Sequence, residues 1–140
     1  MVLDANVLVS AAIQRGPSHR LLRAWRSGEF ELVVCPMLIE EVADVLTTRP
    51  RLRKWIDLDL AREYIEVLRG IQPVAPDPVD AGPLTRDADD DYIVWLAREQ
   101  LVDVIVSGDK DLIEWPAQQP PVMSPEAFER LLHTDGDDPG

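Results

Sequence analysis

The sequence is short of cysteine, histidine, lysine and long apolar runs. A single cysteine, Cys35, stands among 140 residues. That excludes an internal disulfide framework and a multi-cysteine metal site. The only histidines, His19 and His133, fall outside the acidic motifs and read as surface or boundary residues. No apolar run approaches the ~18 residues of a membrane span, so no membrane partner is expected. Met1-Val2-Leu3-Asp4 lacks the basic region and long apolar stretch of a signal peptide, and a cytoplasmic location is expected. Positive charge is scarce too: 14 basic residues against 26 acidic ones give a net charge of −12. Taken alone, that balance argues against broad electrostatic attraction to nucleic acid or anionic membrane.

What is present is an ordinary globular mixture, 46% hydrophobic and 29% charged, long enough for one domain. Met1 to Leu3, Phe30 to Cys35, Ile71 to Val74, Asp103 to Ser107 and Pro121 to Met123 read as strands. Helical spacing predicts two pieces between Asn6 and Arg26, broken at Gly16-Pro17-Ser18, and a helix opened by Pro36. Further helices are expected after Asp57, from Asp87 to Gln100, after Asp109, and from Ala127 to His133 behind the cap Ser124-Pro125. The polar stretch 134–140 reads as a disordered acidic tail. Strands alternating with helices predict an α/β fold, a three-layer α/β/α sandwich around a parallel sheet of about five strands. Ligand sites in such sheets lie beyond the carboxyl ends of the strands.

The acids lean to aspartate, 16 against 10 glutamates. Asp4 follows the first strand; Asp109 and Asp111 follow the fourth. Asp87, Asp89, Asp90 and Asp91 crowd the start of one helix, and Glu40 and Glu41 sit early on another. Singly, each has a plain structural counterpart as a helix cap, a turn or a solvated face. Together they converge on one edge of the sheet. Clustered carboxylates repel and raise one another's pKa unless a cation neutralises them. Oxygen-only ligands without Cys or His select Mg²⁺ or Mn²⁺ over zinc. Such an ion suits attack of water on a phosphodiester.

In these motifs the chain resembles the PIN-domain family, most closely the VapC-like toxins of bacterial type II toxin–antitoxin systems. The matching stretches are Val2-Leu3-Asp4-Ala5-Asn6-Val7-Leu8-Val9-Ser10, Glu41 ahead of Val45-Leu46, Arg86-Asp87-Ala88-Asp89-Asp90-Asp91, and Val106-Ser107-Gly108-Asp109-Lys110-Asp111-Leu112. The resemblance covers residues 1 to 133 and implies a PIN-like nuclease domain. It implies a Mg²⁺- or Mn²⁺-dependent endoribonuclease with catalytic acids at Asp4, Glu41, Asp90 and Asp109. It places metal ligands at Asp4, Asp90, Asp109 and Asp111, with Asn6, Asp87, Asp89, Asp91 and Ser107 in support. Ala88 stands where the family often has proline, and Ser107 where it often has threonine. A cognate antitoxin and a second copy of the chain are the implied partners.

Arginine supplies 12 of the 14 positive charges. Arg20 and Arg23 near the first helices, and Arg49, Arg51, Arg53 and Lys54 around Pro50, read singly as a solvated basic face and as groups are candidate contacts for RNA phosphates. Trp25, Trp55, Trp95 and Trp115 read first as core or interface residues. Two rival readings share the motifs. One is a haloacid-dehalogenase-like phosphatase with Asp4 as nucleophile. The other is a catalytically silent PIN-like binding module.

Overall fold

The computed structural model describes residues 1–71, 74–79, 82, 84, 88–116 and 118–136, with the side chains of 88–90 and 134–136 outside the description. Strand β1 (Val2–Leu3) leads into α1 (Ala5–Ile13) and α2 (Pro17–Arg26), then α3 (Pro36–Thr48), a 3₁₀ turn over 50–54, and α4 (Leu58–Arg69). The second half holds α5 (Ala88–Glu99), β2 (Ile105–Val106), α6 (Lys110–Ile113), β3 (Val122–Met123) and α7 (Pro125–Gly136).

Local chemistry explains the helix boundaries. Asp4 and Asp57 accept from the amides of Val7 and Leu60, closing the first turns of α1 and α4. Gly16 and Pro17 separate α1 from α2, with Pro17 at the first helical position where its missing N–H costs nothing. Pro36 opens α3 the same way, and Asp77, from the loop at 74–79, accepts from the Met37 amide at 2.8 Å. Ser124 caps α7 through the Ala127 amide. That helix runs to Gly136, three residues past His133. Residues 137–140 lie outside the described chain.

The sheet is parallel, in the order β1-β2-β3, with Val2 opposite Ile105 and Leu3 opposite Val106, then Ile105 opposite Val122 and Val106 opposite Met123. The described residues hold these three strands rather than about five. The stretch expected to be a strand from Phe30 to Cys35 is extended but forms no ladder. It touches Met1, just ahead of β1, through Val33 N–H to the Met1 carbonyl at 2.8 Å and the Met1 amino group to the Glu31 carbonyl at 2.9 Å. The Ala75 amide reaches the Val34 carbonyl on its other side at 2.9 Å. The bonds of Glu31 and Val33 meet at Met1 alone, and no regular register follows along Val2 and Leu3. The strand expected at Ile71 to Val74 falls partly outside the described residues, at 72 and 73.

The core follows the apolar spacing. Leu8, Leu21, Leu38, Val42, Leu46, Leu68 and Leu96 are buried in one core together with the residues of β1 and β2. Cys35 is buried as well, and burial pushes its thiol up to about 11, so it acts as a small apolar group. No described helix is long and apolar enough to cross a membrane.

Candidate active site

Register places the first two site residues. With Leu3 opposite Val106, the next positions, Asp4 and Ser107, come side by side where both strands end. The Asp4 amide bonds the Val106 carbonyl at 3.1 Å. The Ser107 hydroxyl donates to Asp4 Oδ2, while Asp4 Oδ1 accepts from the Val7 amide at 2.9 Å. The carboxyl is therefore held at both oxygens. Among the described residues the buried polar or charged side chains are Asp4, Asp91 and Ser107, at 5%, 8% and 0% exposure. All three belong to the acidic motifs of the sequence. Burying a carboxylate is costly, so its retention there needs a reason beyond packing.

Electrostatics supplies one. The Asp4 pKa is raised from 3.8 to about 6. Burial is the main cause, and the charges of Asp109 and Glu41 push the same way, against the hydrogen bonds from Ser107 and Val7. Asp109 caps α6: its Oδ1 accepts from the Asp111 amide at 2.9 Å, and its own amide donates to Ser107 Oγ at 3.0 Å. Ser107 thus couples the two aspartates, donating to one side chain and accepting from the backbone of the other. Asp111, half-buried, lies in the first turn of α6.

Glu41 is exposed on α3 and accepts from the Tyr92 hydroxyl on α5. Burial raises the Tyr92 pKa first, and the Glu41 hydrogen bond and charge raise it further. Tyr92 was not among the residues selected from sequence. Its signal is faint: an aromatic directly after the acidic run. From that run, Asp91 is buried near the start of α5. Asp89 and Asp90 lie on the first turn of α5 with side chains outside the description, and Asp87 lies outside the described residues. Among the described residues no three ligating side chains are grouped closely enough to hold a metal. Asn6 is exposed in the first turn of α1, beside Asp4.

The basic residues divide. Arg20 is held by Glu129 of α7 through two hydrogen bonds, one of them 3.0 Å. Arg53 donates through Nη2 to the Leu46 carbonyl in the last turn of α3, a helix-capping contact, while its buried Nη1 has no hydrogen-bond partner among the described residues. Arg23, Arg49, Arg51 and Lys54 are exposed. Trp25 and Trp115 pack partly buried against the core. The Arg98 guanidinium sits 5.5 Å from the Trp95 ring and 5.7 Å from that of Trp115. Trp55 is 59% exposed. His19 lies on α2, with its Nδ1 3.1 Å from the Ala11 carbonyl oxygen, and His133 lies on α7.

A parallel α/β sheet with buried and capping aspartates at the carboxyl ends of adjacent strands defines the class of molecule. Residues 1–111 match the family model described as PIN domain, and the chain belongs to that family. PIN domains are generally nucleases and typically use divalent metals. Comparison with curated proteins finds no match.

Proposed function

We propose that this chain is a divalent-cation-dependent endoribonuclease and the toxin of a type II toxin–antitoxin pair. The observation that carries the reading is the Asp4 carboxyl, buried, fixed at both oxygens and raised to about 6 with Asp109 and Glu41 acting on it. A cation relieves that arrangement, and its donors are hard oxygens, which fits Mg²⁺ or Mn²⁺. Asp4 and Asp109 would hold the ion, with Asp90 and Asp111 completing the set. When bound, the ion supplies charge for the phosphoryl oxygens and lowers the pKa of water.

The protein's own part is orientation. Ser107 fixes the Asp4 carboxylate and, through the Asp109 amide, the turn that carries the second aspartate. Tyr92 fixes Glu41 on the exposed side of the cluster, where a carboxylate can orient water toward a phosphodiester. RNA as substrate, a cognate antitoxin, a homodimer and a cytoplasmic setting complete the proposal. They are supported by the family resemblance and by the exposed arginines. The test is cleavage of RNA by the purified chain with Mg²⁺ or Mn²⁺, stopped by EDTA. Asp4→Asn and Asp90→Asn should each abolish cleavage with the fold intact; full activity in both overturns the assigned site.

A further inference from the structure

A cavity of about 350 Å³ opens beside the acids. One polar face of α1 and its cap lines it with Asn6, Ser10 and Gln14, spaced one helical turn apart. Gly108, Ser124 and Glu126 close the far side. The cavity shares a wall with the site, because Val7, whose amide holds Asp4, also lines it, and Gly108 stands between Ser107 and Asp109. Its size falls at the lower end of the ~300–1,000 Å³ typical of small-ligand sites.

The chemistry of the lining is selective. Among the described residues it contains no lysine or arginine and one carboxylate, Glu126. That lining offers a phosphate no side-chain cation to pair with. Amides and hydroxyls both donate and accept, which suits base edges and ribose hydroxyls. Gly16 is common to this cavity and a second of about 360 Å³, lined by Arg15, His19, Arg20 and Arg23. There the charge is reversed. Glu129 holds Arg20, so Arg15 and Arg23 supply that cavity's phosphate-binding charge.

We propose that the two cavities form a nucleotide track. The polar cavity receives the base and ribose next to the scissile phosphate, and the arginine cavity receives the following backbone phosphate. This rests on the ribonuclease reading and adds where the strand runs.

The experiment first maps the cut in a single-stranded RNA. Cleavage is then compared for the intact RNA and for RNAs with an abasic ribose on either side of the cut. Removing the base on one side should lower the wild-type kcat/KM by about tenfold, mostly through KM. In Ser10→Leu, which fills the cavity, and in Gln14→Ala, intact and abasic RNAs should be cleaved within about threefold of each other. A base effect of wild-type size in both variants overturns the placement of the base in this cavity, because a variant that merely disturbs the fold lowers both cleavages alike. Replacing Arg15 and Arg23 by Ala should reduce the salt slope by about 1–2 and keep the base effect. Equal cleavage of intact and abasic RNAs by wild type, at both positions, overturns the track and leaves the nuclease reading standing. Failure of wild type to cleave any RNA overturns the nuclease reading, and the track with it.

Discussion

The Ser107 hydroxyl donates to the Asp4 carboxylate across 103 positions of sequence, and the Ser107 oxygen also accepts from the Asp109 amide. One small side chain therefore fixes the relation between the two aspartates that follow adjacent parallel strands. Ser107→Ala removes both bonds and keeps the strand. A hydrogen bond to a charged group contributes about 1.5–3 kcal/mol. Cleavage by the alanine variant is expected to fall about 10- to 100-fold, with the acid limb of the pH profile moved upward because Asp4 loses a bond that favours its ionised form. Ser107→Thr should retain most activity. Unchanged kcat/KM in the alanine variant would show that the coupling is incidental.

Asp4 also makes a statement about stability. Its native pKa of about 6 lies above the ordinary 3.8, so the folded state binds this proton more tightly than the unfolded state. The resulting stabilisation is complete below about 3.8 and is lost as pH rises through about 6. In EDTA at pH 7, Asp4→Asn is therefore expected to be more stable than wild type, by about 1–3 kcal/mol. The difference should shrink or reverse at pH 4. Thermal melts of both proteins from pH 4 to 7.5 read this directly. Mg²⁺ should raise the wild-type Tm more than that of the variant.

Tyr92 is the residue whose role only the folded chain reveals. Its hydroxyl holds Glu41 from the neighbouring helix. Partners that orient site carboxylates commonly cost about 10- to 100-fold in metal affinity or activity when removed. Tyr92→Phe should keep the ring packing and weaken the response to Mg²⁺ about tenfold, seen as a higher half-saturating concentration in the cleavage assay. A Mg²⁺ titration that superimposes on wild type would assign the hydroxyl to packing alone.

Arg53 and Arg51 should separate structural from substrate-facing charge. Arg53 caps α3 at the Leu46 carbonyl, whereas Arg51 is exposed. Arg53→Ala is expected to lower stability by about 1 kcal/mol and to leave the salt dependence of RNA cleavage unchanged. Arg51→Ala should leave the melting temperature in place and reduce the salt slope by about 1. Denaturant melts and cleavage at several salt concentrations check the pair; the reverse pattern would exchange the two roles.

Much of this was legible in the chain itself. Apolar spacing and caps located the helices, because those signals act within a few residues: Asp57 before α4, Pro36 before α3, Ser124 before α7. The acidic motifs contain Asp4, Asp91 and Ser107, the buried polar or charged side chains among the described residues. The position of the negative charge picked out the candidate site. Eight of the acids fall in the site motifs and three more in the final seven residues, which leaves the rest near neutral.

Tertiary structure decided what depends on distant partners. Whether Phe30 to Cys35 joins a ladder depends on its register with Met1 to Leu3, which its own β-rich composition cannot report. Arg20 and Arg53 look like their neighbours in sequence, yet Glu129 and the Leu46 carbonyl engage them. The contact of Tyr92 with Glu41 spans 51 positions, and the Ser107–Asp4 bond arises from the β1–β2 register. Residue type and spacing set which groups are available for chemistry. Strand register and helix packing, which are long-range, set which of them meet.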